Sequence, residues 1–302
     1  MAFNDQNIFI GGGEISIYDA TNGWQYMGYT QDISVNQKSI NHKIIDGNLR
    51  QYSLDTEFEF NIYDASQNMI DELESRKDTK QNVYVVGTNN MLEIHNVYLN
   101  YGTERPFSYS DPQILKIQGA TCVSDDVKHY YNLLGVTGSF ENDDNSDGLA
   151  DGWTFDGVGF DIIRTFFTAA TSDNATCQTC LYEAYTLSST KTVPFKNPKK
   201  VTFSVWVRNS GSVPITNCTF RLTGALLNLS GSTVVSANTT VTSFARDSAS
   251  QQRMTVSVNS PRDTFIASTK MLLYGEPDIG SIEISCDNAQ IEFGDLSAFK
   301  NY

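Results

Sequence analysis

An acidic, glycine-containing run near the middle of the chain has the residue types and spacing of a metal-binding loop. Oxygen-bearing side chains recur in it at alternate positions: Asp143, Asn145 and Asp147. A curled loop can direct all three at one hard cation, and Asp151 can contribute directly or through water. The sequence therefore predicts a structural Ca²⁺ site whose ligands are Asp143, Asn145, Asp147 and Asp151.

The match to a calcium loop of the EF-hand type is incomplete. The twelfth position of the run is Thr154, where an EF-hand has a glutamate that binds with both oxygens. A plain polar turn without a metal is the alternative interpretation.

The five cysteines allow a second kind of metal site. Cys177 and Cys180 have a Cys-x-x-Cys spacing, and zinc would need two further ligands such as Cys218 and Cys286. The polar start of the chain lacks the basic and then apolar pattern of a secretory signal, which predicts a cytosolic product with reduced thiols. Free thiols are the favoured interpretation.

Catalytic motifs are missing from the sequence. The three histidines, His42, His95 and His129, stand in unrelated contexts, and none accompanies a nucleophile elbow or a His-Glu-x-x-His helix. A protein that is not an enzyme is therefore expected.

The composition and length of the chain limit its possible functions and its number of domains. The 302 residues carry a formal net charge of -14, which disfavours broad attraction to nucleic acid, and no stretch reaches the length of about 18 apolar residues that suggests a membrane span. The length favours two domains. A change in composition near 127–131 predicts domains at residues 1–130 and 131–302.

Alternation with period two dominates the first domain and predicts strands. In the strand predicted over 51–63, one face carries apolar residues while Glu57 and Glu59 point to the other face. The predicted buried face comprises Tyr52, Leu54, Thr56, Phe58, Phe60 and Ile62. Gly11, Gly12 and Gly13 predict a bulge or a tight backbone contact.

Two further features of the first domain are a long connection and one helix. The polar segment 36–50 follows a strand predicted over 24–35 and is expected to be a loop, either a bridge to another subunit or a mobile surface loop. Ser66 can cap a helix that presents Met69, Ile70 and Leu73 on one side and ends at Arg76 and Lys77. Strands are predicted next at 82–86, 91–101 and 112–122.

The order of these elements over residues 3–125 resembles the major tail tube proteins of long-tailed bacteriophages. The matching phrases are Ile8 to Gly13 with Ile15 to Tyr18, Gly23 to Gly28, Thr56 to Phe60 and Leu92 to Val97. The resemblance implies a β-sandwich or barrel with one flanking helix.

That resemblance also implies partners. Members of the family assemble as homo-oligomeric, typically sixfold rings that stack into a tube, contact other tail proteins and conduct genomic DNA through the lumen. Segment 36–50 would reach a neighbouring subunit, and the face with Glu57 and Glu59 would line the lumen, where its charge repels DNA. A solvated outer face is the alternative for these glutamates.

The second domain resembles carbohydrate-binding-module-like jelly rolls over residues 132–298. Its opening phrase Gly138 to Glu141, the acidic loop, Gly152 with Trp153, the strand Val201 to Arg208 and the closing phrase Ile284 to Gly294 carry the likeness. Four aromatic residues could stack on sugar rings or belong to the core: Trp153, Tyr182, Tyr185 and Trp206.

These features together predict a mainly β protein: a tail-tube-like β-sandwich or barrel with one helix, followed by a β-sandwich jelly roll. The expected function is that of a structural virion protein of the phage tail, assembled in the host cytoplasm without membrane insertion. The alternative is a carbohydrate-binding receptor-recognition or decoration protein of the virion that binds host surface glycans. An enzyme with unrecognised catalytic residues is a further rival.

Overall fold

The computed structural model divides the chain into two compact units, Met1–His129 and Tyr130–Tyr302. It describes residues 6–9, 11–31, 33–43, 49–63, 65–104, 114–121, 127–140, 142, 144, 149–157, 162–166, 175–181, 184–209, 214–245, 252–277 and 282–297. The mainly β class predicted from the sequence is confirmed.

The first unit is built on one antiparallel sheet in the order β1-β4-β5-β8-β7-β6-β2-β3, with β9 also pairing with β7. The strands are β1 (Gln6–Phe9), β2 (Gly13–Asp19), β3 (Gly23–Thr30), β4 (Ile33–Lys43), β5 (Leu49–Ile62), β6 (Gln81–Val86), β7 (Met91–Glu104), β8 (Ile114–Thr121) and β9 (Val127–Tyr130). The helix α1 (Gln67–Arg76) separates β5 from β6.

The long strand β7 joins the two halves of this sheet. Its first part, from Met91 to Val97, pairs with β6, and its second part, from Tyr98 to Glu104, pairs with β8. Asn96, near the end of the first part, has a left-handed backbone at φ 58°. One strand therefore contributes to both halves of a common core.

The predicted two-faced strand is present in β5. Phe58, Phe60 and Ile62 are buried, while Glu57 is exposed and Glu59 is half-buried on the opposite face. The side chains of Tyr52, Leu54 and Thr56 lie outside the described set. Alternation thus identified which face of β5 packs on the core.

The helix was also predicted correctly. Ser66 is its N-cap, and the Ser66 hydroxyl accepts a hydrogen bond from the backbone N–H of Met69 at 3.4 Å. Leu73 is buried in the core, and Met69 and Ile70 pack against it. The apolar side of α1 therefore covers the sheet as the spacing predicted.

Arg76 at the end of α1 forms a buried ion pair and hydrogen bonds in addition to its favourable position in the helix dipole. It is 2% exposed, and its Nη1 forms an ion pair with Asp19 Oδ2 at 2.8 Å. The same guanidinium donates to the carbonyl oxygens of Gly23 at 2.8 Å and Asn22 at 3.2 Å. The helix is therefore bound to the turn between β2 and β3 through one buried cation.

The predicted loop over 36–50 is wrong. β4 continues through Lys43, β5 begins at Leu49, and the two strands pair in register from Ile33 opposite Phe60 to Lys43 opposite Leu49. The strand predicted over 24–35 is likewise divided between β3 and β4. Mutual pairing satisfies the backbone groups of a polar segment that has few apolar residues of its own.

The glycine-rich start of β2 is a place of close backbone approach, as the sequence indicated. A Cβ on Gly12 would lie 2.4 Å from the Tyr29 hydroxyl and 2.8 Å from the Gln31 carbonyl oxygen. A Cβ on Gly13 would lie 2.9 Å from Val85. Any side chain here would force neighbouring strands apart.

The second unit contains two five-stranded antiparallel sheets, ordered β10-β13-β18-β15-β16 and β11-β12-β19-β14-β17. A short 3₁₀ helix (Gly135–Ser139) precedes them. The strands are β10 (Thr154–Gly157), β11 (Ile162–Phe166), β12 (Ala175–Leu181), β13 (Tyr185–Phe195), β14 (Lys200–Asn209), β15 (Cys218–Leu227), β16 (Thr233–Val241), β17 (Gln252–Asn259), β18 (Ile266–Pro277) and β19 (Ile282–Phe293).

These two sheets pack face to face as a β-sandwich. Phe203 of β14 lies against Gly224 of β15, where an added Cβ would be 2.2 Å from the ring. Phe195 and Phe293, one from each sheet, meet edge to face with ring centroids 5.8 Å apart. The core of this unit therefore lies between the inward faces of both sheets.

Among the described residues, no helix has the length and apolar character needed to span a membrane.

Candidate functional site

The outer face of the sheet containing β14, β17 and β19 combines aromatic and charged side chains. Along β14 the inward residues Phe203, Val205 and Val207 are buried, so the alternate residues Trp206 and Arg208 belong to the outer face. Both outer side chains are half-buried. Trp206 and Arg208 therefore lie side by side along one strand, and Nε and Nη2 of Arg208 are buried.

Trp206 has a charged neighbour on each adjacent strand. It pairs in register with Arg253 of β17 and with Asp287 of β19. The guanidinium carbon of Arg253 lies 5.9 Å from the centroid of the Trp206 ring, within the range of a cation–π contact. The ring therefore lies near one cation, and its register partner on β19 is an acidic residue.

Arg253 is fixed by hydrogen bonds to the sheet and to the segment after it. Its Nη1 donates to the Ser297 carbonyl oxygen and its Nη2 to the Ser204 hydroxyl, each at 3.1 Å. Nη2 also donates to Gln290 Oε1. Burial lowers the pKa of Arg253, and the charge of Glu292 opposes that shift.

A β-bulge positions Asp287. The register of β14 and β19 shifts between Ser204 and Trp206, so β19 has one extra residue at this point. Asp287 Oδ1 accepts from the Asn288 backbone N–H at 2.7 Å, and Asn288 has a left-handed backbone at φ 48°. Bulges bend a strand and redirect its side chains, and beyond this bulge Asp287 pairs in register with Trp206.

Arg208 completes the group. Burial lowers the pKa of Arg208, and the negative charge of Asp287 raises it again. We name the four residues Trp206, Arg208, Arg253 and Asp287 the Trp206 patch. A half-buried indole next to fixed donors and acceptors can stack on an apolar ring face while polar groups bond its edge.

Two of the other aromatic candidates from the sequence belong to the core. Trp153 is 4% exposed, stacks on Phe140 with centroids 4.5 Å apart, and donates from Nε1 to the Thr137 carbonyl oxygen at 2.9 Å. Tyr185 is 1% exposed. Tyr182 lies outside the described residues. Of the four, Trp206 is the one that the described structure leaves on an outer face.

The predicted calcium ligands are only partly covered by the structure. Asp143, Asn145 and Asp147 lie outside the described residues. Asp151 Oδ2 accepts from the backbone N–H of Asp144 at 3.2 Å, and the Asp151 N–H donates to the Asn142 carbonyl oxygen at 2.8 Å. The calcium site stays a prediction.

The described part of the chain contains no group of three or more His, Cys, Asp or Glu side chains placed to hold a metal ion. Cys218 and Cys286 are buried and belong to different sheets, on β15 and β19. These two thiols are therefore part of the core of the sandwich.

The acidic face of β5 is less negative than its sequence suggests. Lys116 Nζ lies 2.9 Å from Glu59 Oε1, and Gln118 Nε2 donates to Glu59 Oε2 at 2.6 Å. Hydrogen bonds from Gln118 and Lys116 lower the pKa of Glu59. Cross-strand neighbours on β8 therefore compensate one of the two glutamates assigned to a lumen wall.

Sequence reasoning did not find the neighbours of Trp206. Arg253 and Asp287 reach it from strands far along the chain, and neither lies in a motif. The alternation of Val201, Phe203 and Val205 was the available signal, because it places Trp206 on the opposite face.

Comparison with known proteins gives matches among solved structures alone. No family model matches the chain, and no curated protein matches it. The enzymatically active domain of tailspike protein 4 from bacteriophage CBA120 is similar at 13% identity and a TM-score of 0.40, with 54% of this chain and 22% of that chain covered.

Two carbohydrate-binding modules are also similar. The CBM22-1 xylan-binding domain of Paenibacillus barcinonensis Xyn10C is 22% identical, with 53% of this chain and 93% of that chain covered and a TM-score of 0.34. A family 16 carbohydrate binding module is 18% identical, with 53% and 99% covered and a TM-score of 0.36. The tail tube resemblance of residues 3–125 gains no support from these structures.

Proposed function

We propose that the second unit binds carbohydrate, without catalysis, at the Trp206 patch. The observation that carries this proposal is the half-buried Trp206 on an outer sheet face, paired in register with Arg253 and Asp287. Indole rings stack on the apolar face of a sugar, and charged groups at the ring edge bond its hydroxyls.

The opposite outer face is a poorer candidate. There the guanidinium of Arg221 lies 4.7 Å from the centroid of the Tyr274 ring, and the Tyr274 hydroxyl donates to Glu276 Oε2 at 2.6 Å. The cation lies closer to this ring than Arg253 lies to the Trp206 ring, at 5.9 Å, and the Tyr274 hydroxyl is already bonded. Trp206 is therefore the better stacking platform.

The proposed ligand is a glycan of a host surface, and the proposed place of the protein is the virion. The chain charge of -14 disfavours a strongly anionic polymer. Receptor recognition or particle decoration is the role that fits a compact binding unit joined to a second unit.

A tail tube role for the first unit is a second candidate. Its support is an antiparallel sheet that ends in β1 and β3 and is covered by one helix, since open sheet edges can pair between subunits. Electron microscopy of the purified protein would show rings or tubes. A particle image without this protein in the tail would exclude the role.

Glycan binding by the full chain tests the main proposal. A glycan array identifies a ligand, and calorimetry then compares the wild type with Trp206→Ala and Tyr274→Ala. We expect Trp206→Ala to weaken binding at least about tenfold, equivalent to about 1.4 kcal/mol of lost stacking. Tyr274→Ala is the matched control on the opposite face and should bind as the wild type does.

Two outcomes would contradict this proposal. One is a glycan ligand whose affinity is the same for Trp206→Ala and the wild type, with both proteins equally folded by circular dichroism. The other is an array without any bound glycan for the folded wild-type chain.

A further inference from the structure

Strand β16 forms one edge of the first sheet of the sandwich. It pairs with β15 and ends the order β10-β13-β18-β15-β16. In an edge strand, alternate backbone N–H and C=O groups point away from the sheet and form a template for another strand. Its nine residues, from Thr233 to Val241, give this template a considerable length.

The strand lacks two of the features that normally protect such an edge. Its sequence, Thr-Val-Val-Ser-Ala-Asn-Thr-Thr-Val, contains neither a charged residue nor a proline. A register irregularity occurs opposite Leu226 and Leu227 at the start of β16, which leaves Val235 to Val241 regular. By comparison, the edge strands β10 and β11 have four and five residues, and β17 carries Arg253.

The core is also incomplete along this edge. Strand β15 contributes Phe220 and Leu222, and β18 contributes Leu273, all with 0% exposure. The inward-pointing residues of β16, which pair with inward residues of β15, are only half-buried: Val235, Ala237, Thr239 and Val241. A further strand beside β16 would cover them, as β15 and β18 cover each other.

An exposed leucine lies next to the same edge. Leu229, in the turn between β15 and β16, is 60% exposed. In this turn, Asn228 Oδ1 accepts hydrogen bonds from the backbone N–H groups of Ser230 and Ser232, both at 3.0 Å. The structure thus holds an apolar side chain in water where β16 begins.

We propose that β16 pairs with β16 of a second copy of this chain, antiparallel about a twofold axis through Ala237. This register uses all nine residues and sets Val235 opposite Thr239 and Ser236 opposite Asn238 of the other copy. β-Branched residues then face each other, which favours strand pairing.

A second copy fits the edge better than a charged partner does. The chain carries a net charge of -14, so two copies repel each other over most of their surface, but β16 itself is neutral. In the twofold arrangement, the turn with Leu229 of one copy lies beyond Val241 of the other. The exposed leucine would therefore be covered by the same contact.

The dimer is independent of the glycan proposal and of ring formation by the first unit. Ser236 and Asn238 project from the outer face of β16 and are exposed, so substitutions there do not disturb the core. The Trp206 patch lies on the other sheet and stays open. Two such patches in one dimer would bind a repetitive glycan with greater avidity than one.

A charge-swap experiment on the full chain tests the proposed register. S236K/N238K places two lysine pairs directly opposite each other across the axis, whereas S236K/N238E places lysine opposite glutamate twice. Sedimentation velocity over a concentration series measures the dimer dissociation constant. We expect the wild type to dimerise, S236K/N238K to weaken the dimer about tenfold, and S236K/N238E to restore it.

Each contrary result is decisive. A wild-type chain that stays monomeric at the highest soluble concentration overturns the proposal. So does an association that both double variants leave unchanged, because it would then use another surface such as β1 or β3 of the first unit. Thermal unfolding of both variants confirms that they are folded, and Leu229→Ser should weaken the dimer independently.

Discussion

Replacing Asp19 by asparagine should strongly destabilise the first unit. Asp19 Oδ1 accepts from the backbone N–H groups of Thr21 at 2.8 Å and Asn22 at 2.7 Å. Its Oδ2 accepts from Arg76 Nη1 at 2.8 Å and Gln81 Nε2 at 2.9 Å. The carboxylate therefore connects the turn, the helix and β6 in one buried network.

The pKa of Asp19 gives the size of the effect. Burial by itself would raise the pKa of this carboxyl, but hydrogen bonds from the Asn22 backbone and from Gln81 outweigh it and lower the pKa from 3.8 to about 2. That difference is worth about 2 kcal/mol of folding free energy at neutral pH. Because the folded pKa is depressed, this stability is fully present above pH 4 and is lost as the pH falls towards 2.

Asparagine adds a second penalty. It can keep one carbonyl oxygen towards Thr21 and Asn22, but its amide group then faces the donors of Arg76 and Gln81. Arg76, at 2% exposure, would lose its buried counter-charge. Breaking a buried ion pair on one side typically costs about 3–5 kcal/mol, so we expect a total near the lower end of this range.

Hydrogen exchange measured by mass spectrometry isolates the first unit, since peptides from β2, β3 and α1 report on it separately. At pH 7 these peptides should lose protection in Asp19→Asn, and urea unfolding should show the same loss of stability. The difference from the wild type should shrink below pH 4. A difference under about 0.5 kcal/mol at pH 7, or one that does not change with pH, would refute the reasoning.

Two other predictions concern the second unit. Gly224→Ala should lower the unfolding free energy of the second unit by about 1–3 kcal/mol in urea, because the new Cβ would lie 2.2 Å from the Phe203 ring. Gly231 has open space around it but a backbone φ of 77°, so Gly231→Ala measures the effect of backbone strain alone. Addition of Ca²⁺ should raise the unfolding temperature of the wild type but not of Asp143→Asn/Asp147→Asn. An equal response of both proteins, or none in either, would argue for a plain polar turn.

Local patterns predicted the elements whose signals lie within one stretch of chain. The cap at Ser66 and the apolar spacing of Met69, Ile70 and Leu73 identified α1, and alternation identified the buried face of β5. These patterns predict structure correctly because the periodicity within one helix or strand indicates which of its sides faces the core.

The failures came from strand pairing, which the pattern of side chains in one segment does not show. Segment 36–50 has too few apolar residues to show a strand pattern, yet β4 and β5 satisfy each other's backbone over eleven paired positions. The surroundings of Trp206 were equally hidden, because Arg253 and Asp287 reach it only through register. A single sequence records side-chain type but not which strands become neighbours.

The order of strands in the first unit restricts how it can form during synthesis. β8 lies between β5 and β7, so neither of those strands has its second partner until residues Ile114–Thr121 have emerged. β7 in turn connects β8 to the half-sheet that holds β6, β2 and β3. We expect a nascent chain that ends before β8 to remain sensitive to protease. A chain extended past β8 should become resistant in one step, because this late strand joins β5 to β7.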